Sequence, residues 1–170
     1  MSHRAVLGSL VGPLALVVAD GALTQVRFLD PSGPDSYPDG AEPDEPTGVL
    51  AAAARQLVEY FDGSRRAFDL PLAPRGSAFQ QRVWAALLEI PFGGTVSYGE
   101  IARRLGMPPT SSRAVGAANG ANPIPVVIPC HRVIGADGLL TGYGGGLHRK
   151  EALLRLEGVP TERDQLSLFD

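Results

Sequence analysis

Apolar residues dominate positions 6–18 and resume over 22–29, with Asp20-Gly21 between them. Two such runs broken by an Asp-Gly turn signal predict two short strands joined as a hairpin. From 31 to 48 the periodicity gives way to Pro, Asp and Gly, which predicts a surface loop. Leu50, Ala53, Ala54, Leu57, Val58 and Phe61 then recur at helical spacing, so 49–61 should be a helix that Gly63 ends. Positions 67–70 read as one more strand and 71–76 as a linker.

A second unit opens at Ser77. Phe79, Val83, Trp84, Leu87 and Leu88 share one helical face, and the helix stops before Pro91. Phe92-Gly93-Gly94-Thr95 is a turn. Ser97 at the N-cap with Glu100 at N3 forms a capping box that starts the next helix, which runs to Leu105-Gly106 and is broken by Pro108-Pro109. A third helix over 110–118 ends at Asn119-Gly120. Helix, short turn, helix is the helix-turn-helix pattern, although many small helical domains share it. In the third helix Ser111, Ser112, Ala114, Gly116, Ala117 and Ala118 are all small, and Arg113 is the one long basic side chain. Two readings stand: tight packing against another helix, or close approach to a DNA groove with Arg113 filling the place of an extruded base. The apolar run 124–128 leads into Pro129-Cys130-His131-Arg132-Val133. Gly135 to Gly138 is a tight turn, 140–146 a glycine-rich loop carrying Tyr143, and 149–156 a last amphipathic helix before Glu157, Gly158 and Pro160. The fold class expected is α+β. A small N-terminal domain of antiparallel strands plus a helix (1–76) precedes a mainly helical, winged-helix-like domain with a helix-turn-helix (77–158) and a tail (159–170).

Composition narrows the function. A chain of 170 residues with 44% hydrophobic positions can bury a sizeable core. Its single cysteine excludes an internal disulfide and a thiolate zinc cluster, which fits a reducing cytoplasm. Residues 6–19 carry Gly and Pro and lack the basic flank and cleavage signature of a signal peptide, and no run is long enough to span a bilayer. The net charge of −3 divides unevenly. Six Arg against ten acids give −4 over 1–76, eight Arg and Lys against five acids give +3 over 77–157, and one Arg against three acids gives −2 over 158–170. The part holding Cys130 is therefore the basic one, as phosphate contact requires, though only modestly so.

A lone thiol after an apolar run is either a core residue or a nucleophile beside a pocket, and its neighbours decide. Phe79-Gln80-Gln81-Arg82-Val83-Trp84, Ser97-Tyr98-Gly99-Glu100-Ile101-Ala102, Arg113-Ala114-Val115-Gly116, Asn122-Pro123, Pro129-Cys130-His131-Arg132-Val133 and Gly142-Tyr143-Gly144-Gly145-Gly146-Leu147 follow one another in one order. With these motifs the chain resembles the O6-alkylguanine-DNA alkyltransferases, the methylated-DNA–protein-cysteine methyltransferase family, closely over 77–158. Before residue 77 the likeness is loose, through Gly12-Pro13-Leu14 and Glu59-Tyr60-Phe61.

The resemblance implies direct-reversal DNA repair. Cys130 would attack the alkyl carbon on O6 of a flipped-out guanine, and on O4-alkylthymine too, in one stoichiometric, self-inactivating transfer. His131 would take the thiol proton through a water, with Glu157 holding the imidazole, since the thiolate is the nucleophile. Tyr98 would give a proton to the leaving base, and Lys150 would lie near the departing oxygen. Arg113 would be the finger in the duplex, with Ser112, Ala114, Gly116 and Tyr98 against DNA. Asn119, Asn122, Pro125, Val133, Tyr143, Gly144 and Gly145 would form the base pocket. Gly144 stands where some members have serine, and Asn119 where some have an apolar residue. The zinc ligands of some N-terminal domains are absent, so neither metal nor cofactor is expected. The implied partner is double-stranded DNA carrying O6-alkylguanine, and the protein is expected to be a monomer in a bacterial cytoplasm at the nucleoid, with no membrane contact.

The tail is a separate signal. Gln165-Leu166-Ser167-Leu168-Phe169 is similar to the short peptide by which bacterial repair proteins bind the DNA sliding clamp, and the alternative is docking on the protein's own surface. Four other readings of the whole chain are weaker. Metal binding by Cys130, His131 and His148 has no ligand spacing to support it. A helix-turn-helix transcription factor leaves Cys130, His131 and Glu157 without a purpose. A cysteine hydrolase has no use for the helix-turn-helix, and a family member that only senses damage would lack the cysteine.

Overall fold

The computed structural model describes residues 2–29 and 44–161. The chain forms two compact units, one of residues 1–75 with Pro123–Pro125, and a second of Gly76–Asn122 with Val126–Asp170. No helix among the described residues is long and apolar enough to cross a membrane.

The first unit is a three-stranded antiparallel sheet, β1 (Ser2–Leu7), β2 (Leu14–Ala19) and β3 (Ala22–Phe28), in that order, with α1 (Gly48–Phe61) packed against it. The run expected as one strand over 6–18 is thus parts of two. Gly12 sits at φ 94° and its N–H donates to Ser9 O at 3.0 Å, so the chain reverses at Gly8 to Pro13. The Asp20-Gly21 hairpin is as expected, with both residues at positive φ. Leu14, Leu16 and Val18 face inward from β2, where Leu50, Ala53, Leu57 and Tyr60 of α1 are buried. The buried stripe of α1 therefore differs from the expected one: Val58 is exposed, and the polar Gln56 is inside. Gln56 is tolerated there because its amide donates to Asp69 O at 3.0 Å and accepts from Asp69 N at 2.8 Å. That contact also holds 67–70 out of the sheet, so no strand forms there. The pairing comes slightly later, where Leu23 N donates to Pro71 O and Ala73 N to Leu23 O. Residues 123–125 lie inside the stretch expected for the second domain yet belong to this unit, with Val26 N donating to Pro123 O at 3.0 Å.

The second unit begins with α2 (Ala78–Leu87), α3 (Tyr98–Arg104) and α4 (Ser112–Gly120). Ser77 and Gln80 cap α2 reciprocally, a box not foreseen from sequence. At α3 only half of the expected box forms: Ser97 accepts from Glu100 N, while the Glu100 carboxylate turns to Arg103 at 2.8 Å and Arg104 at 3.4 Å. Leu88, expected on the apolar face of α2, is the C-cap residue and is exposed. Trp84 is buried, and its indole N–H donates to Ala118 O at 2.9 Å, which joins α2 to α4. A short 3-10 turn at Pro109–Ser111 leads into α4, and α3 packs on α4 as a helix-turn-helix. Strands β4 (Val96–Ser97) and β5 (Val133–Ile134) pair in parallel, and α5 (Leu147–Leu156) closes the unit over Leu153 and Leu154.

Candidate active site

Cys130 opens a 3-10 turn, Cys130–Arg132, just after the chain has turned at Val126. Val126 holds φ at 75°, costly for a β-branched residue and sustained by its complete burial. Two asparagines then fix the approach. Asn122 donates to Ile128 O at 2.9 Å and Asn119 to Cys130 O at 3.3 Å.

Behind the cysteine lies a buried ionic cluster. His131 Nε2 meets Glu157 Oε2 at 2.7 Å. Arg132 donates to the same carboxylate twice, Nε to Oε1 at 2.7 Å and Nη2 to Oε2 at 3.0 Å, and its Nη1 donates to Ile90 O at 2.6 Å. A bidentate guanidinium offsets the desolvation of Glu157 and keeps it ionised, so it accepts from His131 rather than taking its proton. Burial pushes the His131 pKa down, against the pull of Glu157, and the charges of Arg132 and Lys150 push it further down. A neutral imidazole that donates Nε2–H to Glu157 leaves Nδ1 as its basic atom, and Nδ1 has no protein partner among the described residues.

Burial pushes the Cys130 thiol up to about 11, while the Asn122 side chain and the charge of Lys150 work the other way. Lys150 is itself fully buried on α5. Its ammonium donates to Val133 O at 2.6 Å and to Thr141 O at 2.9 Å, and burial brings its pKa down to about 8.

A groove of about 500 Å³ opens in the same unit, lined by Tyr98, Ser112, Arg113, Gly116, Gly120 and residues 141–144. Gly116 lies at its wall beside the Tyr98 ring, where an added Cβ would make an ordinary contact at 3.8 Å. Thr141 Oγ1 donates to Tyr98 Oη at 2.8 Å. The groove thus gathers Tyr98, Ser112, Arg113, Gly116, Tyr143 and Gly144 from the expected site residues. Cys130, His131, Glu157, Lys150, Asn119, Val133 and Gly145 are buried in the unit, with Asn122 half-buried. Ala114 is exposed on α4 and does not line the groove. Pro125 is buried but groups with the first unit, and Gln165, Leu166, Ser167, Leu168 and Phe169 lie outside the described residues. Among the described residues no three His, Cys, Asp or Glu side chains gather as a metal site needs.

Sequence reasoning missed Arg132 and Thr141. Arg132 carried no signal beyond its place in the motif after His131, because its partner Glu157 is 25 residues further on. Thr141 carried no signal beyond its place in a glycine-rich loop.

A helix-turn-helix beside a groove, in one unit with a buried thiol and an imidazole on a clamped carboxylate, is the architecture of a DNA-directed group-transfer protein. Residues 78–159 match the family model described as 6-O-methylguanine DNA methyltransferase, DNA binding domain, and residues 3–74 the one described as its ribonuclease-like domain. The methylated-DNA–protein-cysteine methyltransferase of Mycobacterium tuberculosis is 49% identical over the full length of both chains. That of Methanosarcina acetivorans is 48% identical, over 92% of this chain and 98% of its own. The crystal structure of Mycobacterium tuberculosis O6-methylguanine methyltransferase superposes with a TM-score of 0.83 at 49% identity, covering all of both chains. A structure of the Mycobacterium tuberculosis protein in complex with DNA gives 0.82 at the same identity over 99% of each. The chain belongs to the methylated-DNA–protein-cysteine methyltransferase family.

Proposed function

We propose that this protein repairs DNA by moving the alkyl group of O6-alkylguanine, and of O4-alkylthymine, onto Cys130. The observation that carries the reading is a buried thiol in the field of Lys150, in the turn whose His131 and Arg132 both bind Glu157 at the end of α5. His131 Nδ1 receives the thiol proton through a bridging water, and Cys130 Sγ displaces the base oxygen from the alkyl carbon. The S–C bond forms as the C–O6 bond breaks. The electron pair passes into the guanine, which takes a proton from Tyr98. Lys150 holds the Val133 and Thr141 carbonyls and favours the thiolate by its charge.

DNA meets the basic domain at 77–158 through α4. Ser112, Ala114 and Gly116 allow close approach, and Arg113 fills the gap left by the flipped base. Asn119, Asn122, Val133, Tyr143, Gly144 and Gly145 shape the base pocket. No second cysteine is present to remove the alkyl group, so each chain, acting as a monomer, reacts once. Residues 165–169 tether the protein to the sliding clamp at the bacterial nucleoid, which raises its local concentration on DNA. Clamp binding should be lost in a chain ending at Arg163, and equal binding by both chains removes the tether. For the transfer itself, DNA carrying labelled O6-methylguanine should pass its label to the protein, and Cys130→Ala should abolish this. Label that stays on DNA, or moves to the alanine variant, refutes the reading.

A further inference from the structure

Thr141 sits between the two ends of the proposed reaction. Its carbonyl is held by Lys150 Nζ at 2.9 Å, the ammonium whose charge acts on the Cys130 thiol. Its hydroxyl donates to the Tyr98 phenol oxygen at 2.8 Å. One residue thereby joins the nucleophile's cation to the group opposite the leaving base. We propose that Thr141 is a positioning residue for the transfer, fixing the Tyr98 hydroxyl as the proton donor and stabilising the charge that develops on it. The inference rests on the reading of Tyr98 given above.

Three observations support the role. At 2.8 Å Thr141 can donate to the phenol oxygen, which leaves the phenol's own O–H to point elsewhere, and Tyr98 and Thr141 line the same groove. When the phenol passes its proton to the guanine, its oxygen becomes more negative, and a hydrogen bond already aimed there strengthens in that state alone. The oxygen needs no reorganisation to be stabilised. Thr141 is also well suited to stay in place. It is β-branched, so its χ1 is stiff, and its methyl faces Gly135, where an added Cβ would lie 3.5 Å from Thr141 Cγ2. With the methyl on that side and the carbonyl tied to Lys150, the hydroxyl is left directed at Tyr98. The pair is exposed to water at the groove wall, and a base filling the groove would exclude that water and raise the bond's worth. Protons balance: the thiol proton goes to His131, the Tyr98 proton to the departing guanine, and both side chains re-equilibrate with solvent after the DNA leaves.

The test uses the full chain and two alkyl donors. Thr141→Val keeps the shape and removes the hydroxyl, and Thr141→Ser keeps the hydroxyl. With DNA carrying labelled O6-methylguanine, Thr141→Val should slow single-turnover transfer by about tenfold, the scale of one lost hydrogen bond, while Thr141→Ser stays within about twofold of wild type. Tyr98→Phe with Thr141→Val should be no slower than Tyr98→Phe alone, because the hydroxyl acts only through the phenol. Iodomethane, whose leaving group needs no proton, should alkylate Cys130 equally fast in wild type and Thr141→Val. Wild-type transfer by Thr141→Val, additive losses in the double variant, or an equal loss with iodomethane would overturn the role. Wild-type protein that takes no label from DNA would overturn the reading of the site itself and the Thr141 role with it, an outcome distinct from a loss confined to Thr141.

Discussion

A thiol at about 11 is ionised in about one molecule in ten thousand at neutral pH, and reaching the thiolate unaided costs about 5 kcal/mol. Burial creates that cost, so the residues around Cys130 must lower it at the moment of reaction. In the proposed transfer, passing the proton to His131 would avoid sending it to bulk water, and the clamp of Arg132 on Glu157 would keep the imidazole's acceptor open. The same cluster fixes how stability responds to pH. His131 has a lowered pKa in the folded state, so below about 6.5 the unfolded chain takes up a proton that the folded site refuses. Stability then falls as pH falls, by at most about 1.4 kcal/mol per unit from this group. On the alkaline side two groups oppose each other. The raised Cys130 pKa lowers stability above about 9, and the depressed Lys150 pKa raises it from about 8. Urea denaturation between pH 7 and 5 should show the acid slope in wild type and a shallower one in His131→Gln. Equal slopes would mean that His131 is not held neutral.

Helices and turns present these side chains, and α4 shows how. Trp84 pins its end through Ala118 O, Asn119 reaches from it to Cys130 O, and Gly116 leaves room for the Tyr98 ring. Gly116→Ala should fold normally, since its Cβ would meet only an ordinary contact at 3.8 Å, and alanine favours a helix over glycine by about 0.5–1 kcal/mol. The methyl would nevertheless narrow the groove against Tyr98, so binding of lesion DNA should weaken by about tenfold. A lowered melting midpoint, or unchanged DNA affinity, would count against this. Among the helices the sequence was legible where apolar periodicity is strong, as in α2 and α5, and at the Ser97 cap of α3. It was misleading where tertiary contacts override local signals. Gln56 holds 67–70 out of the sheet, and the reversal around Gly12 divides an apolar run that reads as one strand.

Across the whole molecule the acidic first unit and the basic stretch that follows divide the charge, and the basic one carries the groove and the thiol. The Cys-His pair and, of the groove, Tyr98, Arg113, Gly116, Tyr143 and Gly144 stand in motifs that follow one order along the chain. The Arg132 clamp and the Thr141 link could not, because each depends on partners brought together only by folding, Glu157 in one case and Tyr98 in the other. In the proposed repair one thiol is spent on one lesion. Give the protein a large excess of DNA bearing O6-methylguanine and follow methyl groups transferred per chain over time, mapping them by peptide mass. The count should plateau at one methyl per chain, all of it on Cys130, with no further loss of lesions. Continued turnover past that plateau, or a methyl group mapped to any other residue, would contradict it.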